Sequence, residues 1–351
     1  MRARSTRCRW PGWMTATLLA AAIIAPTAQG ASYALAFWNV ENLFDTTDDP
    51  AVSGDEEFTP TAPKAWSEER FRAKLKALAQ VIVDMNDGRG PDVLGLAEVE
   101  NRFVVEQLVE QLKPLGRDYD IVHKDSPSGR GIDCALLYDR KALRLDGSAF
   151  LTPPVAETRD VVEARLAAGG DKLFVFVNHW PSRLSDQSGA QRSAVADMLR
   201  KRIDELLSQD AAADIVIIGD LNDHPGDTSV AEHLHAASQP SASAPASAPT
   251  ATQPVCLLNT TWAIHASGTI GSYNYQGKWE IIDHVILSPG LLDAGGFAWK
   301  AGSTQVFVKD YMLYKAGTPE ARPNRTYSGR DRYFGGCSDH LPVVCVVERA
   351  E

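Results

Sequence analysis

The chain has 351 residues, 44% of them hydrophobic and 23% charged, the composition of an ordinary soluble globular protein. Its formal net charge of −10 works against broad, non-specific binding to a phosphate polymer, while leaving room for a local basic patch around a site.

The first thirty residues stand apart. Arg2, Arg4, Arg7 and Arg9 form a basic leader, "TATLLAAAIIA" is a short apolar core, and "AQG" offers the small residues that a signal peptidase cuts after. The apolar run is shorter than the about 20 residues that span a bilayer. Residues 1–30 therefore read as a signal peptide, and the mature chain, 31–351, as exported to the periplasm or the extracellular space. Four of the 35 Lys and Arg lie in the leader, with none of the 45 Asp and Glu. The remainder thus has 31 bases, 45 acids and a net charge of −14.

Apolar, β-branched runs follow one another: "YALAFWNV", "DVLGLAEV", "IDCALLYD", "KLFVFVNHW", "DIVIIGDLN", "EIIDHVILS" and "LPVVCVVE". Each predicts a strand, several of them buried on both faces. Helical patterns lie between them. In "WSEERFRAKLKALAQVIVDM", Phe71, Leu75, Leu78, Ile82 and Met85 share one face and Ser67 is placed to cap the N-terminus. "FVVEQLVEQLK" and "GAQRSAVADMLRKRIDELLSQ" obey the same periodicity, so the whole reads as a layered α/β protein. Residues 236–254, "AASQPSASAPASAPTATQP", are uncharged and too poor in large apolar groups to order themselves, and read as a flexible insertion in a single domain. Cys8 leaves with the leader. Cys134 and Cys345 sit in strand-like runs and read as buried thiols, while Cys256 and Cys337 lie in loop-like surroundings and are expected to pair as a disulfide. No cysteine and histidine spacing suggests zinc.

Nearly every strand run ends in a polar cluster. Asn39 and Glu41 end the first, Glu98 the second, Asn178, His179 and Arg183 the fourth, and Asp220 and Asn222 the fifth. Asp283 lies within a strand, and Asp339 and His340 stand just before the last one. One polar tip is usually a turn; this many imply tips that converge on one site, as α/β layers do at strand ends. "NVEN", "AEVEN", "NHWPSR", "GDLND" and "SDHLPV", in this order, resemble the endonuclease/exonuclease/phosphatase superfamily, which includes deoxyribonuclease I, exonuclease III and neutral sphingomyelinases. "RGIDCALLY", "ETRD" and "GSYNYQGKWEIIDH" resemble a bacterial exported subgroup of it. The resemblance runs from Trp38 to Val347. It implies a four-layer α-β-β-α sandwich with two mixed sheets face to face, and a metal-dependent phosphodiesterase.

Such hydrolysis needs an in-line water, neutralised phosphate charge and a protonated leaving oxygen. Hard oxygen ligands suit Mg²⁺, with Mn²⁺ or Ca²⁺ as alternatives. By resemblance, Glu98 is the first metal ligand, with Glu41, Asp339 and the amide of Asn39 as further candidates. His340 resembles the histidine that contacts the scissile phosphate, with Asp283 orienting its ring. Either His340 or Asp220 takes the proton of the water. His179, with Asp133 as its carboxylate partner, is the expected general acid. Asn39 and Asn222 are amide donors to phosphate or to the ligand carboxylates, and Arg159 and Arg183 are candidate phosphate clamps. His284, beside Asp283 on a strand, points to the opposite face and reads as packing. Asp223 and His224 shape the turn before Pro225, and His123, His233, His235 and His265 take no role.

For the substrate, nucleic acid competes with small or lipid phosphodiesters, and a non-catalytic module on the same fold is the alternative class. Residues 309–334 hold six Lys and Arg against three acids, with Tyr311, Tyr314, Tyr327, Tyr333 and Phe334 interleaved. That pattern can track a backbone and stack bases, which favours a nuclease. No long apolar loop suggests membrane insertion, and a monomer is expected.

Overall fold

The first strand, β1 (Ala31–Leu43), shows how two cores arise from one alternating sequence. Tyr33, Leu35 and Phe37 join one buried cluster, whereas Ala36, Trp38 and Val40 join another on the opposite face. β8 (Asp214–Asp220) repeats the device, with Val216 and Ile218 on one side and Ile215 and Ile217 on the other. A strand buried on both faces must be apolar throughout, which is why these runs are continuous.

The computed structural model describes residues 30–50, 52, 54–239, 254–314, 321–328 and 332–349. Two seven-stranded sheets carry the chain. In the first, the strands run in the order Phe297–Trp299, Val343–Arg349, β1, β2 (Val93–Val99), β4 (Asp133–Asp139) and β3 (Tyr119–His123), with Gln305–Val306 also on Val343–Arg349. In the second, the order is β5 (Arg144–Leu151), β6 (Val161–Ala168), β7 (Asp171–His179), β8, Asp283–Leu287, Leu257–Asn259 and Ala236–Ala237. β1 and β2 are parallel, as are β7 and β8, within largely antiparallel sheets, so both are mixed.

The apolar clusters define four layers. α1 (Glu68–Gly88) and α2 (Arg102–Leu112) cover the outer face of the first sheet, and α3 (Ala190–Gln209) covers that of the second. Between the sheets, Phe37, Val93, Val175, Val177, Ile218, Val285 and Val343 form the shared core. Each such side chain contributes about 1.5–3 kcal/mol on burial. Gly95 sets the closeness of the sheets there: a Cβ at this position would lie 2.8 Å from Ile218 Cδ1 and 3.1 Å from Val177. The α-β-β-α sandwich implied by the motifs is the architecture observed.

Ser67 caps α1 by accepting from the Arg70 N–H, and the predicted apolar face is buried. The regular helix ends where Met85, Asn86 and Asp87 leave helical backbone. Two expectations need correction. Ala236–Ala237 pair in parallel with Leu257–Leu258, so the insertion expected at 236–254 starts later; residues 240–253 lie outside the described residues, as do 1–29 of the leader. The four described cysteines are all free, so Cys256 and Cys337 form no disulfide. Cys256 flanks the Leu257–Asn259 strand of the second sheet, whereas Cys337 is buried with its carbonyl accepting from Lys74, on the first-sheet side.

Candidate active site

Strand parity aims the second-sheet residues. His179, Asp220 and Asp283 are Cα partners across three adjacent strands, His179 opposite Asp220 and Asp220 opposite Asp283. They continue the rows Leu173–Val175–Val177, Val216–Ile218 and Val285–Leu287, so all three side chains end the inter-sheet core. From the first sheet, Asn39 continues the row of Tyr33, Leu35 and Phe37. Its Nδ2 donates to Asp220 Oδ2 at 3.1 Å, joining the two sheets at their tips.

Glu98 reaches the same place by a different route. By parity with Leu94 and Leu96 it would face α1 and α2, but the β2 register shifts between Ala97 and Val99 and Glu98 has φ +63°. The bulge turns its carboxylate inward. Glu41 and Asn42 in the β1 bulge and Asn222 after β8 share the left-handed backbone that is rare outside glycine. Glu98 Oε2 accepts from the Asn42 N–H at 3.0 Å, and Oε1 accepts from Arg130 Nη1 at 3.3 Å and lies 3.9 Å from His179 Nε2.

His340 precedes the last strand and is locked on every side. Its Nδ1 bonds Asp283 Oδ2 at 2.8 Å, its N–H donates to Ser338 Oγ, its carbonyl accepts from the Trp38 indole, and Tyr273 packs on the ring at 4.7 Å. Asp220 Oδ2 lies 3.7 Å from both His340 Nε2 and His179 Nε2. The two buried histidines differ electrically. Burial works against charge on His340, but Asp283 and Asp220 outweigh it and push the ring up to about 10. For His179, burial, then Arg159, Arg130 and His340, hold the ring well below its ordinary value. Burial and then Asp283 push Asp220 up to about 7, while His340, Asn39 and the Asn222 N–H pull it down. Burial also pushes Glu98 up, but Arg130, His340 and Arg159 prevail and leave it below the usual carboxylate range.

The carboxylates suit a hard divalent cation. Glu41 is pushed up to about 7 by burial and then by Asp339, a crowding of like charges that a bound cation would relieve. Glu41 itself is held by the Thr326 and Tyr327 N–H groups at 2.6 and 3.2 Å, and Asp339 is partly exposed, 4.0 Å from Arg325. Among the described residues at this site, Asp220, Asp283 and His340 have ligand atoms within 4.8 Å of one another, which Glu98, Glu41 and Asp339 do not, and Asp283 is committed to the His340 ring. Asn39 Oδ1 accepts from the Glu41 N–H at 3.0 Å, which leaves one lone pair of that oxygen for a cation.

A family model described as "Endonuclease/Exonuclease/phosphatase family" matches residues 34–349. The chain belongs to the endonuclease/exonuclease/phosphatase family. It is an enzyme of that family. Three solved structures share the fold. The human Nocturnin catalytic domain with bound sulfate has a TM-score of 0.52 at 19% identity, covering 91% of this chain and 94% of that one. A family protein from Bacteroides thetaiotaomicron has a TM-score of 0.55 at 16% identity, covering 91% and 95%. TDP2 from D. rerio, complexed with single strand DNA product, has a TM-score of 0.54 at 13% identity, covering 91% and 99%. No curated protein matches the chain.

Within this family frame, several expected residues sit elsewhere. Asp133 does not partner His179. Cys134, Leu136 and Tyr138 face the inter-sheet core, so Asp133 faces outward, where it bonds His123 Nε2 at 3.1 Å and the Ser126 N–H at 2.9 Å. His179 Nδ1 is left buried without a partner. With no carboxylate on Nδ1 and the ring held well below its ordinary value by burial and then Arg159, His179 fits a donor to phosphate better than a general acid. Arg183 is ion-paired with Glu280, which also faces His224. Arg159 is buried at the site, donating from Nη2 to the Trp180 carbonyl with Nε unpartnered, and is held down to about 10 by burial and then Arg130. Asn222 donates from Nδ2 to the same Trp180 carbonyl, while its N–H supports Asp220. His284 is buried on the far side from Asp283, bonded to Asn259 and the Asp223 carbonyl.

Sequence reasoning missed Lys74, Arg130 and Tyr273. Lys74 lies inside the apolar face of α1 yet is 1% exposed, donating to the Glu41 carbonyl, Thr326 Oγ1 and the Cys337 carbonyl at 3.0, 2.5 and 2.6 Å. A lysine in an apolar stripe was the available signal. Most of the 309–334 aromatics serve the fold instead of a ligand: Arg322 stacks on Tyr314, Arg332 on Phe334 and Arg70 on Tyr333, and Tyr327 packs on Trp66. Lys315 and Arg330, two of the six basic residues of that segment, lie outside the described residues.

Proposed function

We propose that this protein is an exported, divalent-metal-dependent phosphodiesterase that cleaves nucleic acid. The observation that carries the catalytic reading is the meeting of Glu98, His179, Asp220, Asp283 and His340 at the tips of both sheets, within hydrogen-bond or near-contact distance of one another. Glu98, Glu41 and Asp339 would hold Mg²⁺, with Mn²⁺ or Ca²⁺ as alternatives, and the ion would supply neutralisation of phosphate charge. Asp220 is the general base. It lies between the two histidines and its raised value lets it accept a proton near neutral pH, whereas a ring held protonated, such as His340, cannot. His340 acts as the charged donor to the phosphate, with Asp283 fixing its tautomer. His179 and Arg159 supply two further donors to the remaining phosphate oxygens.

Export rests on the basic leader and short apolar core of residues 1–30. A nucleic acid substrate is favoured by the bound DNA product of TDP2 and by Arg325 beside Asp339 at the mouth of the site. Among the described residues no helix is long and apolar enough to cross a membrane. The test is a panel of DNA, RNA, bis-p-nitrophenyl phosphate and sphingomyelin with Mg²⁺, Mn²⁺ and Ca²⁺. Metal-dependent cleavage of a nucleic acid is expected; cleavage of sphingomyelin alone would contradict the substrate.

A further inference from the structure

Arg130 occupies an unusual position for a surface residue. Its guanidinium reaches across from the loop before β4 and bridges Glu98 Oε1, at 3.3 Å, and Asn42 Oδ1, at 2.8 Å. The other carboxylate oxygen of Glu98 already accepts from the Asn42 N–H. Oε1 is therefore the oxygen left for a cation, and Arg130 stands on it.

The backbone that carries Arg130 is fixed from several sides. Asp133 ties the start of the loop through Ser126 and His123, and the Gly129 N–H donates to the Glu157 carbonyl. Gly54 lies against the Arg130 backbone, where a Cβ would come within 2.6 Å of its Cα, and Gly131 has φ +60° with Val52 facing it. The side chain is different: it is 51% exposed. A tethered root and a half-solvated head let the guanidinium exchange partners without unfolding anything. Arg159, a second guanidinium at the site, repels it, so the pose against Glu98 is opposed from within the same site.

Resting on the metal-dependent reading above, we propose that Arg130 is an exchangeable counter-ion. It and the divalent cation compete for Glu98 Oε1, and the guanidinium released by that exchange binds the phosphate of the substrate. The guanidinium keeps half of its exposure in the pair with buried Glu98, and phosphate accepts a guanidinium bidentately, so the exchange runs toward phosphate once Glu98 is taken. The device makes cation and phosphate binding mutually favourable, and by linkage each raises the affinity of the other equally.

The test is a Mn²⁺ titration of the full chain without substrate, followed by electron paramagnetic resonance, for wild type, Arg130→Ala and Asn42→Gly. The glycine keeps the left-handed backbone at residue 42 and removes only the second anchor of Arg130. Both variants should bind Mn²⁺ tighter, Arg130→Ala by at least about 2- to 5-fold, the worth of a fully exposed pair, since the Glu98 side chain is only 11% exposed. Inorganic phosphate should strengthen Mn²⁺ binding in wild type, and in Arg130→Ala that gain should vanish while KM for bis-p-nitrophenyl phosphate rises. Weaker or unchanged Mn²⁺ binding in folded Arg130→Ala overturns the proposal, as does a phosphate effect that survives the substitution. These titrations need no turnover, so an inactive wild type that binds Mn²⁺ would count against the phosphodiesterase reading and not against the role of Arg130.

Discussion

Replacing Asp283 by Asn should move the pH–rate profile bodily toward acid. Asp283 Oδ2 meets His340 Nδ1 at 2.8 Å in a buried pair and is the largest influence raising that ring, to about 10. An amide keeps the shape and removes the charge. A hydrogen bond to a charged group is worth about 1.5–3 kcal/mol, and about 1.4 kcal/mol corresponds to one pH unit. His340 should thus fall by about two units, with Asp220 at 3.7 Å retaining part of the effect. The sign is clear. His340 works as a cation, so the alkaline limb moves down from about 10, and at pH 9 activity falls about tenfold, against less than twofold at pH 7. Asp283 also raises Asp220, so the acid limb, where Asp220 loses its proton to become the base, should move down as well. The assay is kcat/KM for bis-p-nitrophenyl phosphate from pH 5.5 to 10 at saturating Mg²⁺, on protein with unchanged Tm. A loss of equal size at every pH, with both limbs in place, would refute the reasoning.

Lys74→Met should cost about 3 kcal/mol or more, since three buried acceptors lose their only shared donor, and urea unfolding at constant m-value will show it. An unchanged midpoint would remove Lys74 from the support of Glu41. Asp133→Asn should loosen the loop of residues 124–132, detected as faster amide exchange there. It should affect nitrophenyl and nucleic acid substrates alike, because Asp133 does not touch His179. The denatured, unreduced protein without its leader should titrate four thiols with Ellman's reagent; two would restore a disulfide.

Much of the fold was legible because buried strands and amphipathic helices leave period-two and period-3.6 patterns. β1 and β8 are apolar throughout since they serve two cores, and that is visible in "YALAFWNV" and "DIVIIGD". Parity, which placed His284 on the far side of its strand, would also have placed Asp133 there had the count been made from Cys134. Glu98 is the converse: parity alone points it outward, and only the positive-φ bulge brings it into the site. A bulge leaves no periodic mark in the residues around it. Arg130, Lys74 and Tyr273 act through contacts spanning long sequence separations, such as Lys74 to Cys337, which no local pattern encodes. The aromatic and basic pattern of 309–334 read as a ligand surface, but tertiary packing spends most of those rings on neighbouring arginines.

The central claim is that carboxylates at the converged strand tips bind a divalent cation that phosphodiester cleavage requires. Its most direct measurement is cleavage of DNA, RNA and bis-p-nitrophenyl phosphate against Mg²⁺ concentration, for wild type and Glu98→Gln side by side. Wild type should show saturable, chelator-sensitive cleavage. Folded Glu98→Gln should lose at least about 10²-fold at any Mg²⁺ concentration, the scale expected when charge stabilisation at the reacting phosphate is removed. Cleavage by wild type that persists in excess chelator, or near-normal turnover by Glu98→Gln at saturating Mg²⁺, would contradict the account.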